Sequence, residues 1–281
     1  MININGLKIE LKQFPDHTQN LRIPEEFYNN IATKTISNNS QYQRNTYNMI
    51  KIEWLYESDS ELVSLIFLTK HLKDQRNKIK LILPYIPNAR MDRVNNADEI
   101  FTLKYFASII NSLNFEEVWV LDAHSSVALA LIDRVKKIPV QPFIEKAIKK
   151  SKPTLLFMPD EGAYKRYNTF PNFPATFGIK HRDWRTGNIL NYEISEPELV
   201  KNKKILIIDD ISSKGGTFYH AAKSLLLAGA KEVNLYITHT EKTIEQGELL
   251  KENSPIKNIY TANPLFEINS FTTQLNKIQF L

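Results

Sequence analysis

The chain has 281 residues, a formal net charge of +5 at pH 7 and no cysteine. This length suits one large domain or two ordinary domains, each with a buried core. The absence of cysteine excludes a disulfide framework, a thiolate zinc site and a cysteine nucleophile. No apolar run approaches the length of a membrane span and no secretory signal opens the chain, so we expect no membrane partner and a cytoplasmic location.

The basic residues are spread along the chain rather than gathered into a stripe with interleaved aromatic residues. A nucleic-acid-binding protein would need such a stripe, so we expect no nucleic-acid partner. A mild positive charge is compatible with an anionic substrate, because sites that handle phosphate need cations.

The first half of the chain alternates strand-like and helix-like patterns. Residues Lys80–Leu83 predict a strand that ends at a Pro-Tyr pair, and apolar spacing predicts a helix over 100–113. Residues Val118–Leu121 predict the next strand, which ends at Asp122 and His124. Polar residues therefore follow both strands at their carboxyl ends.

A short basic cluster follows the first of these strands. Arg90 and Arg93 flank Asp92 in this segment. Guanidinium groups suit the oxygens of a polyphosphate. The alternative is an ordinary charged loop.

The second half repeats the alternation. Strands are predicted at Thr154–Met158, which ends at Pro159 and Asp160, at Ile205–Ile208, and over 233–238. Residues 170–191 lack a clear periodicity, and we interpret part of them as a loop over a site. Strands that alternate with helices imply parallel sheets. We therefore predict an α/β fold of two tandem Rossmann-like domains, residues 1–138 and 139–281.

The segment after Ile208 carries the strongest signal. It contains two adjacent acids, Asp209 and Asp210, then a short loop with the glycine pair Gly215–Gly216, then a helical pattern. Glycines and a helix start allow backbone N–H groups to surround a phosphate. Two adjacent carboxylates repel each other unless a cation or hydroxyls lie between them, which argues against the alternative of a buried strand with a polar turn.

This segment resembles the loop that binds phosphoribosyl diphosphate (PRPP) in type I phosphoribosyltransferases and in PRPP synthetases. In that loop, two acids and two variable residues precede Asp-Thr-Gly-Gly-Thr. Gly215, Gly216 and Thr217 match that pattern, whereas Ser213 and Lys214 replace its Asp and Thr. The resemblance implies that Asp209 and Asp210 hold the ribose hydroxyls. It also implies that residues 213–217 bind the 5-phosphate of ribose 5-phosphate.

Further motifs resemble PRPP synthetases, the ribose-phosphate diphosphokinases, rather than simple transferases. The segment Ala89–Arg93 resembles their Ala-Arg-Gln-Asp-Arg, and Asp122–His124 resembles their Asp-Leu-His. The resemblance implies that Arg90, Asp92, Arg93 and His124 bind ATP. It assigns Mg²⁺ to His124 and to the Asp160 of a Ser-Pro-Asp-x-Gly-Gly-like segment.

Two weaker matches complete the set. Lys180 and Arg182 match the cations that open the family's catalytic loop, so the resemblance makes them catalytic. Phe14 and Asp16 fit part of an N-terminal motif that reaches the adenine of ATP in a neighbouring subunit. The resemblance therefore implies a homo-oligomer, either a dimer or a hexamer.

Together the motifs imply a ribose-phosphate diphosphokinase with phosphoribosyltransferase-type domains. Such an enzyme moves the diphosphoryl group of ATP to ribose 5-phosphate, giving PRPP and AMP. The first domain would bind ATP and the second ribose 5-phosphate. The chain is similar to the short, divergent forms of large bacterial viruses, in which case the location is the host cytoplasm. The alternatives are a phosphoribosyltransferase that consumes PRPP and a non-catalytic regulatory homologue.

Overall fold

A computed structural model describes residues 1–30, 49–171, 173–182, 189–266 and 277–281, with the backbone alone for 180–182 and 189–191. Within these ranges the chain forms two compact units, Met1–Ile138 and Pro139–Leu281. No helix among the described residues has the length and apolarity needed to cross a membrane.

The first unit is a mixed sheet with helical crossovers. Its elements are β1 (Ile2–Ile4), β2 (Leu7–Lys8), β3 (Glu10–Gln13), β4 (Gln19–Arg22), β5 (Met49–Trp54), α1 (Ser60–Asp74), β6 (Lys78–Ile82), α2 (Thr102–Ser112), β7 (Glu117–Leu121), α3 (Ser126–Leu131) and β8 (Val135–Ile138). The main sheet has the order β2-β1-β5-β6-β7-β8, and β3 and β4 form a separate hairpin. Strands β5 to β8 are parallel, so their carboxyl ends meet at one edge.

The core of the first unit follows from the residue pattern. Strand β5 buries alternate residues, as expected for a strand packed on a core. Helix α1 buries Leu65, Leu68 and Leu72, which lie on one side of a helix of 3.6 residues per turn. The fully buried Trp54 donates its indole N–H to Glu61 Oε2 at 2.9 Å, so this buried polar atom has a partner.

The second unit is a seven-stranded sheet. Its elements are α4 (Gln141–Ser151), β9 (Leu155–Met158), α5 (Glu161–Tyr167), β10 (Ala175–Arg182), β11 (Ile189–Ile194), β12 (Lys204–Ser212), α6 (Gly216–Leu227), β13 (Glu232–Glu241), β14 (Ile259–Leu265) and β15 (Ile278–Phe280). The order is β11-β10-β9-β12-β13-β14-β15. Among the strands that the structure describes in this unit, only β11 is antiparallel to its neighbour.

Helices cover both faces of this sheet. Alternate residues of the central strands, such as Ile205 and Ile207, pack with Leu225 of α6. Their neighbours Leu206 and Ile208 pack on the other face, in a cluster that includes residues of α4 and α5. Burial on both faces explains why β9 and the start of β12 are continuously apolar. The predicted α/β fold class with mostly parallel, helix-flanked sheets is confirmed.

The strand order creates a switch point between β9 and β12. The chain leaves β9 towards β10 on one side, and it leaves β12 towards β13 on the other side. The connections that follow these two adjacent strands therefore diverge and leave a crevice at their carboxyl ends. Open α/β sheets bind their ligands in such crevices.

The structure corrects two boundaries and adds two strands within 170–191. Residues 175–182 form β10 and residues 189–191 begin β11, which pairs antiparallel with β10 and extends the sheet. Residues 183–188 lie outside the described residues, so the loop expected in part of this segment stays a prediction. Asp209 and Asp210 lie inside β12, which continues to Ser212, rather than at its tip. Strand β13 runs from Glu232 to Glu241 and is longer than predicted.

Candidate functional site

Asp160 is the first residue of the candidate site in the second unit, and it lies at the carboxyl end of β9. It is the N-cap of α5, with extended backbone angles, and its Oδ1 accepts a hydrogen bond from the Ala163 N–H at 2.9 Å. Capping of this kind fixes the side chain as well as the helix end. The structure therefore holds this carboxylate in one place beside the switch point.

The paired acids lie at the carboxyl end of the adjacent strand β12. The Asp210 side chain is buried, and its Oδ2 lies 3.4 Å from Nη1 of Arg166 on α5. The Asp210 N–H donates to Asp209 Oδ1 at 3.0 Å. Successive strand residues point to opposite faces, so the two carboxylates have different surroundings.

Burial and the neighbouring Asp210 raise the pKa of Asp209 well above its ordinary value. Asp160 contributes in the same direction with its negative charge, which indicates that the ends of β9 and β12 share one electrostatic environment. A site rich in negative charge suits hydroxyl donors or a cation. This arrangement fits the sequence-based assignment of the acids to a sugar.

The loop 213–215 joins β12 to α6, and helix α6 begins at Gly216. Gly215 has φ of +79°, a conformation that favours glycine. Ser213 Oγ lies 2.8 Å from Oγ1 of Thr243, which in turn donates to Glu241 Oε2 at 3.2 Å. Lys214 is exposed and Thr217 is half-buried. The loop thus presents a helix start to the crevice, as an anion site requires.

The side chain of Tyr192 in β11 reaches the carboxyl end of β9. Its hydroxyl donates to the Pro159 carbonyl at 2.9 Å. Burial, and then the charges of Asp160 and Asp209, raise the pKa of Tyr192 far above its ordinary value. The residue therefore stays a protonated donor.

The first unit brings its own predicted residues together at the ends of β6 and β7. Asp92 Oδ1 accepts from Arg93 Nε at 3.0 Å, and Ser125 and His124 also act on Asp92. Burial tends to raise the pKa of Asp92, but Arg93, Ser125 and His124 leave it lowered, so the carboxylate is ionised. Arg90 lies in the same segment and is exposed. Basic side chains and an imidazole thus lie at one sheet edge.

Phe14 and Asp16 lie elsewhere in the first unit, in the turn between β3 and β4. Phe14 is 52% exposed. Asp16 Oδ1 accepts from Thr18 N at 3.0 Å and from Thr18 Oγ1 at 2.7 Å, which stabilises the turn. These contacts explain the presence of an acid in the turn without a ligand.

Lys180 and Arg182 are on strand β10 rather than in a loop. Their side chains lie outside the described residues, so their role as catalytic cations stays a prediction. The register places Lys180 opposite Tyr192 in the β10–β11 pair.

Sequence reasoning missed Arg166, Tyr192, Thr243 and Gly247. Arg166 lies on α5, the helix that Asp160 caps, and no motif in the sequence pointed to it. The other three come from distant segments that only the sheet brings to the crevice. A Cβ added to Gly247 would lie 1.9 Å from the Lys214 carbonyl oxygen, so the loop depends on this glycine.

The chain is similar in sequence to ribose-phosphate pyrophosphokinases along most of its length. The ribose-phosphate pyrophosphokinase of Sulfolobus acidocaldarius is 29% identical over 276 residues, covering 95% of this chain and 88% of that protein. The ribose-phosphate pyrophosphokinase of Sulfurisphaera tokodaii is 27% identical over 272 residues, covering 94% and 87%.

Among solved structures, the phosphoribosylpyrophosphate synthetase of Mycobacterium smegmatis aligns with a TM-score of 0.70 and 18% identity. The alignment covers 98% of this chain and 85% of that chain, and it shows a shared fold. No known protein-family profile matches the chain.

Proposed function

We propose that this chain, a homologue of the ribose-phosphate pyrophosphokinases over both of its units, transfers the diphosphoryl group of ATP to ribose 5-phosphate. The products are PRPP and AMP. The extent of the similarity carries the proposal, because it spans 95% of the chain and so includes the first unit. A transferase that consumes PRPP needs the 209–217 loop but has no use for a first unit with the Arg90–Arg93 cluster.

The second unit supplies the site for ribose 5-phosphate. Asp209 and Asp210 would accept hydrogen bonds from the ribose hydroxyls, and Arg166 keeps the buried Asp210 paired. The loop 213–217 would hold the 5-phosphate with backbone N–H groups at the start of α6.

The first unit supplies the site for ATP. Arg90 and Arg93 would contact phosphate oxygens, and the Asp92–His124–Ser125 cluster would orient them. Phe14 and Asp16 remain assigned to the adenine as a proposal. This division of substrates between residues 1–138 and 139–281 is part of the proposal.

Mg²⁺ is the proposed cofactor. Asp160 of the second unit and His124 of the first unit are each assigned to Mg²⁺, and each assignment is made within its own unit. The described residues contain no group of three or more acidic or imidazole side chains placed to bind a metal. That fits Mg²⁺, which often takes one or two carboxylates and completes its shell with substrate phosphates and water. When bound, the ion would neutralise phosphate charge.

Catalysis would consist of positioning and charge stabilisation. The oxygen of the ribose 1-hydroxyl would attack the β-phosphorus of ATP in line and lose its proton to solvent. The bond from the β-phosphorus to the oxygen that bridges the α- and β-phosphates would break, and AMP would leave with that oxygen. No enzyme residue would form a covalent bond. Lys180 and Arg182, on the hairpin beside the site, would stabilise the charge that shifts in the transition state.

We also propose that the protein assembles into a homo-oligomer. Exposed apolar side chains on the first unit support this proposal, among them Val63 and Phe67, which are one turn apart on α1. Light scattering coupled to size-exclusion chromatography measures the mass directly. A single species at 32.6 kDa would contradict it.

The reaction is tested by incubating the protein with ATP, Mg²⁺ and ribose 5-phosphate. AMP should form only when all three are present, and ³¹P NMR should show a diphosphate on C1 of the sugar. ADP instead of AMP would indicate a simple kinase. Consumption of PRPP with a free base would favour the transferase, and inactivity with intact folding would favour the regulatory homologue.

A further inference from the structure

Tyr192 is a largely buried polar side chain that the proposed reaction does not use. Its hydroxyl donates to the carbonyl of Pro159 at 2.9 Å. Pro159 directly precedes Asp160 at the carboxyl end of β9. This hydrogen bond therefore ties β11, an outer strand of the sheet, to the peptide that carries the proposed metal ligand.

The backbone of β10 is shaped to admit this tyrosine. A Cβ added to Gly178 would lie 2.1 Å from the Tyr192 hydroxyl oxygen and 2.4 Å from Cζ. Atoms this close cannot coexist, so the tyrosine reaches Pro159 only because residue 178 has no side chain. The ring also packs near Phe157 of β9, with 6.5 Å between the ring centroids. Tyr192 thus crosses β10 to reach β9.

The same strand pair carries the proposed catalytic cations. Lys180 lies opposite Tyr192 in the register, two residues beyond Gly178. The Ser195 N–H donates to the Phe177 carbonyl at 2.9 Å and continues the pairing on the other side of Gly178. The position of Tyr192 is therefore coupled through the backbone to that of Lys180.

We propose that Tyr192 is a positioning residue that locks the β10–β11 hairpin, and with it the backbone at Lys180, onto the carboxyl end of β9. The lock keeps one spacing between the hairpin and Asp160. The expected effect on kcat rests on the proposed function, whereas the expected effect on the opening of the hairpin does not.

The surroundings of the hydroxyl support a permanent lock. Burial and the nearby carboxylates keep the phenol protonated, so it remains a donor across the working pH range. A carbonyl acceptor does not titrate either. The hydrogen bond is therefore insensitive to pH near neutrality.

The first test is Y192F, which removes the donor and keeps the ring. The kcat for PRPP formation should fall roughly 10- to 100-fold, as expected for a small misplacement of catalytic groups, while both KM values stay nearly unchanged. Amide hydrogen exchange should quicken at residues 176–179 and at Ser195, because the hairpin opens more often.

Tyr236→Phe is the matched control. Tyr236 is also a buried tyrosine of this sheet, and its hydroxyl lies 3.2 Å from Thr238 Oγ1. Its loss should lower the melting temperature without changing kcat or the exchange of the hairpin.

The steric part is tested by a cycle of G178A and Y192A. G178A alone should reduce kcat, because the new methyl group displaces the tyrosine. Added to Y192A, it should cost nothing further, because the ring that it would meet is absent. Additive losses would overturn the claim that residue 178 acts through Tyr192.

The two measurements separate the lock from the reaction. A Y192F protein that melts earlier but keeps its kcat and its hairpin exchange overturns the proposal. If the unaltered protein forms no PRPP, the proposed function has failed, and the exchange comparison still decides the lock. Unchanged exchange in Y192F would overturn it whatever the activity.

Discussion

At the scale of single residues, the two adjacent acids differ more than their sequence suggests. Asp210 is buried against Arg166, with 3.4 Å between their charged atoms. Asp209 has a raised pKa because of burial and of Asp210 itself. Asp210 is thus paired within the free protein, whereas burial and the charge of Asp210 disfavour the ionised form of Asp209.

Asp210→Asn should raise the KM for ribose 5-phosphate and leave the KM for ATP nearly unchanged. The substitution weakens charge-assisted hydrogen bonds worth about 1.5–3 kcal/mol, or roughly one to two decades in kcat/KM. Steady-state kinetics with each substrate varied in turn measures this. Glu252→Gln, at an exposed position, is the control, and equal losses for both substrates would contradict the assignment.

Asp209→Asn should stabilise the free protein at neutral pH. The folded state keeps a proton on Asp209 above its ordinary pKa of 3.8, where the unfolded state has lost it. Stability therefore falls as pH rises through the interval between the ordinary and the raised pKa. The amide removes this loss, so Tm should rise by roughly 2–4 °C per kcal/mol recovered.

Melting curves of both proteins across pH 4–8 check this prediction. The difference in Tm should grow with pH and be smallest at the acid end. A difference that is constant with pH would show that ionisation of Asp209 is not its cause. Use of ribose 5-phosphate should fall in the same variant.

Lys180→Ala should lower kcat far more than it raises either KM. Its charge is needed mainly as charge shifts in the transition state, and loss of such a donor costs roughly two to three decades. Steady-state kinetics with a thermal melt decides this. An unchanged kcat would remove Lys180 from the mechanism and favour the regulatory homologue.

At the scale of elements, the loop that we propose binds phosphate (the phosphate loop) is built by two segments rather than one. The first is the 213–217 motif, and the second is the 3-10 turn Lys242–Gln246 with Gly247 after it. Ser213 bonds Thr243, and the Lys214 carbonyl occupies the space that a side chain at Gly247 would need. The second segment has no motif of its own.

Gly247→Ala should therefore distort the phosphate loop in the free protein. The added Cβ would lie 1.9 Å from a backbone oxygen, so the loop must move and the KM for ribose 5-phosphate should rise. Gly216→Ala is the comparison, because no atom lies within 4 Å of its added Cβ. It should keep its melting temperature and lose affinity only for the phosphate. A Gly247→Ala protein with unchanged Tm and KM would contradict this account.

At the scale of the whole molecule, each unit has its own hydrophobic core. A substitution in one unit should therefore raise the KM for the substrate proposed to bind that unit and leave the other KM nearly unchanged. Arg90→Ala and Arg93→Ala should raise the KM for ATP, and Asp210→Asn that for ribose 5-phosphate. Isothermal titration with a non-hydrolysable ATP analogue checks the first group without turnover. Loss of ribose 5-phosphate binding in the arginine variants would contradict the division.

The sequence by itself determined the fold class and the family resemblance. Apolar runs such as Ile205–Ile208 mark buried parallel strands because both sheet faces are covered. The residues of each motif are close together in the sequence, so the Asp209–Thr217 motif can be recognised without a structure. The resemblance to ribose-phosphate pyrophosphokinases is confirmed by relatives that match along most of the chain.

Only the tertiary structure decided how those motifs are held. The β10–β11 hairpin was not predicted, because its residues show no clear hydrophobic periodicity and its place is set by pairing within the sheet. The contacts of Tyr192 with Pro159, of Arg166 with Asp210, and of Gly247 with Lys214 join segments up to 44 residues apart along the chain. Such contacts depend on the strand order 11-10-9-12-13, which local propensity does not encode. The sequence identifies the groups that we propose bind and react, and the sheet sets the distances between the motifs of the second unit.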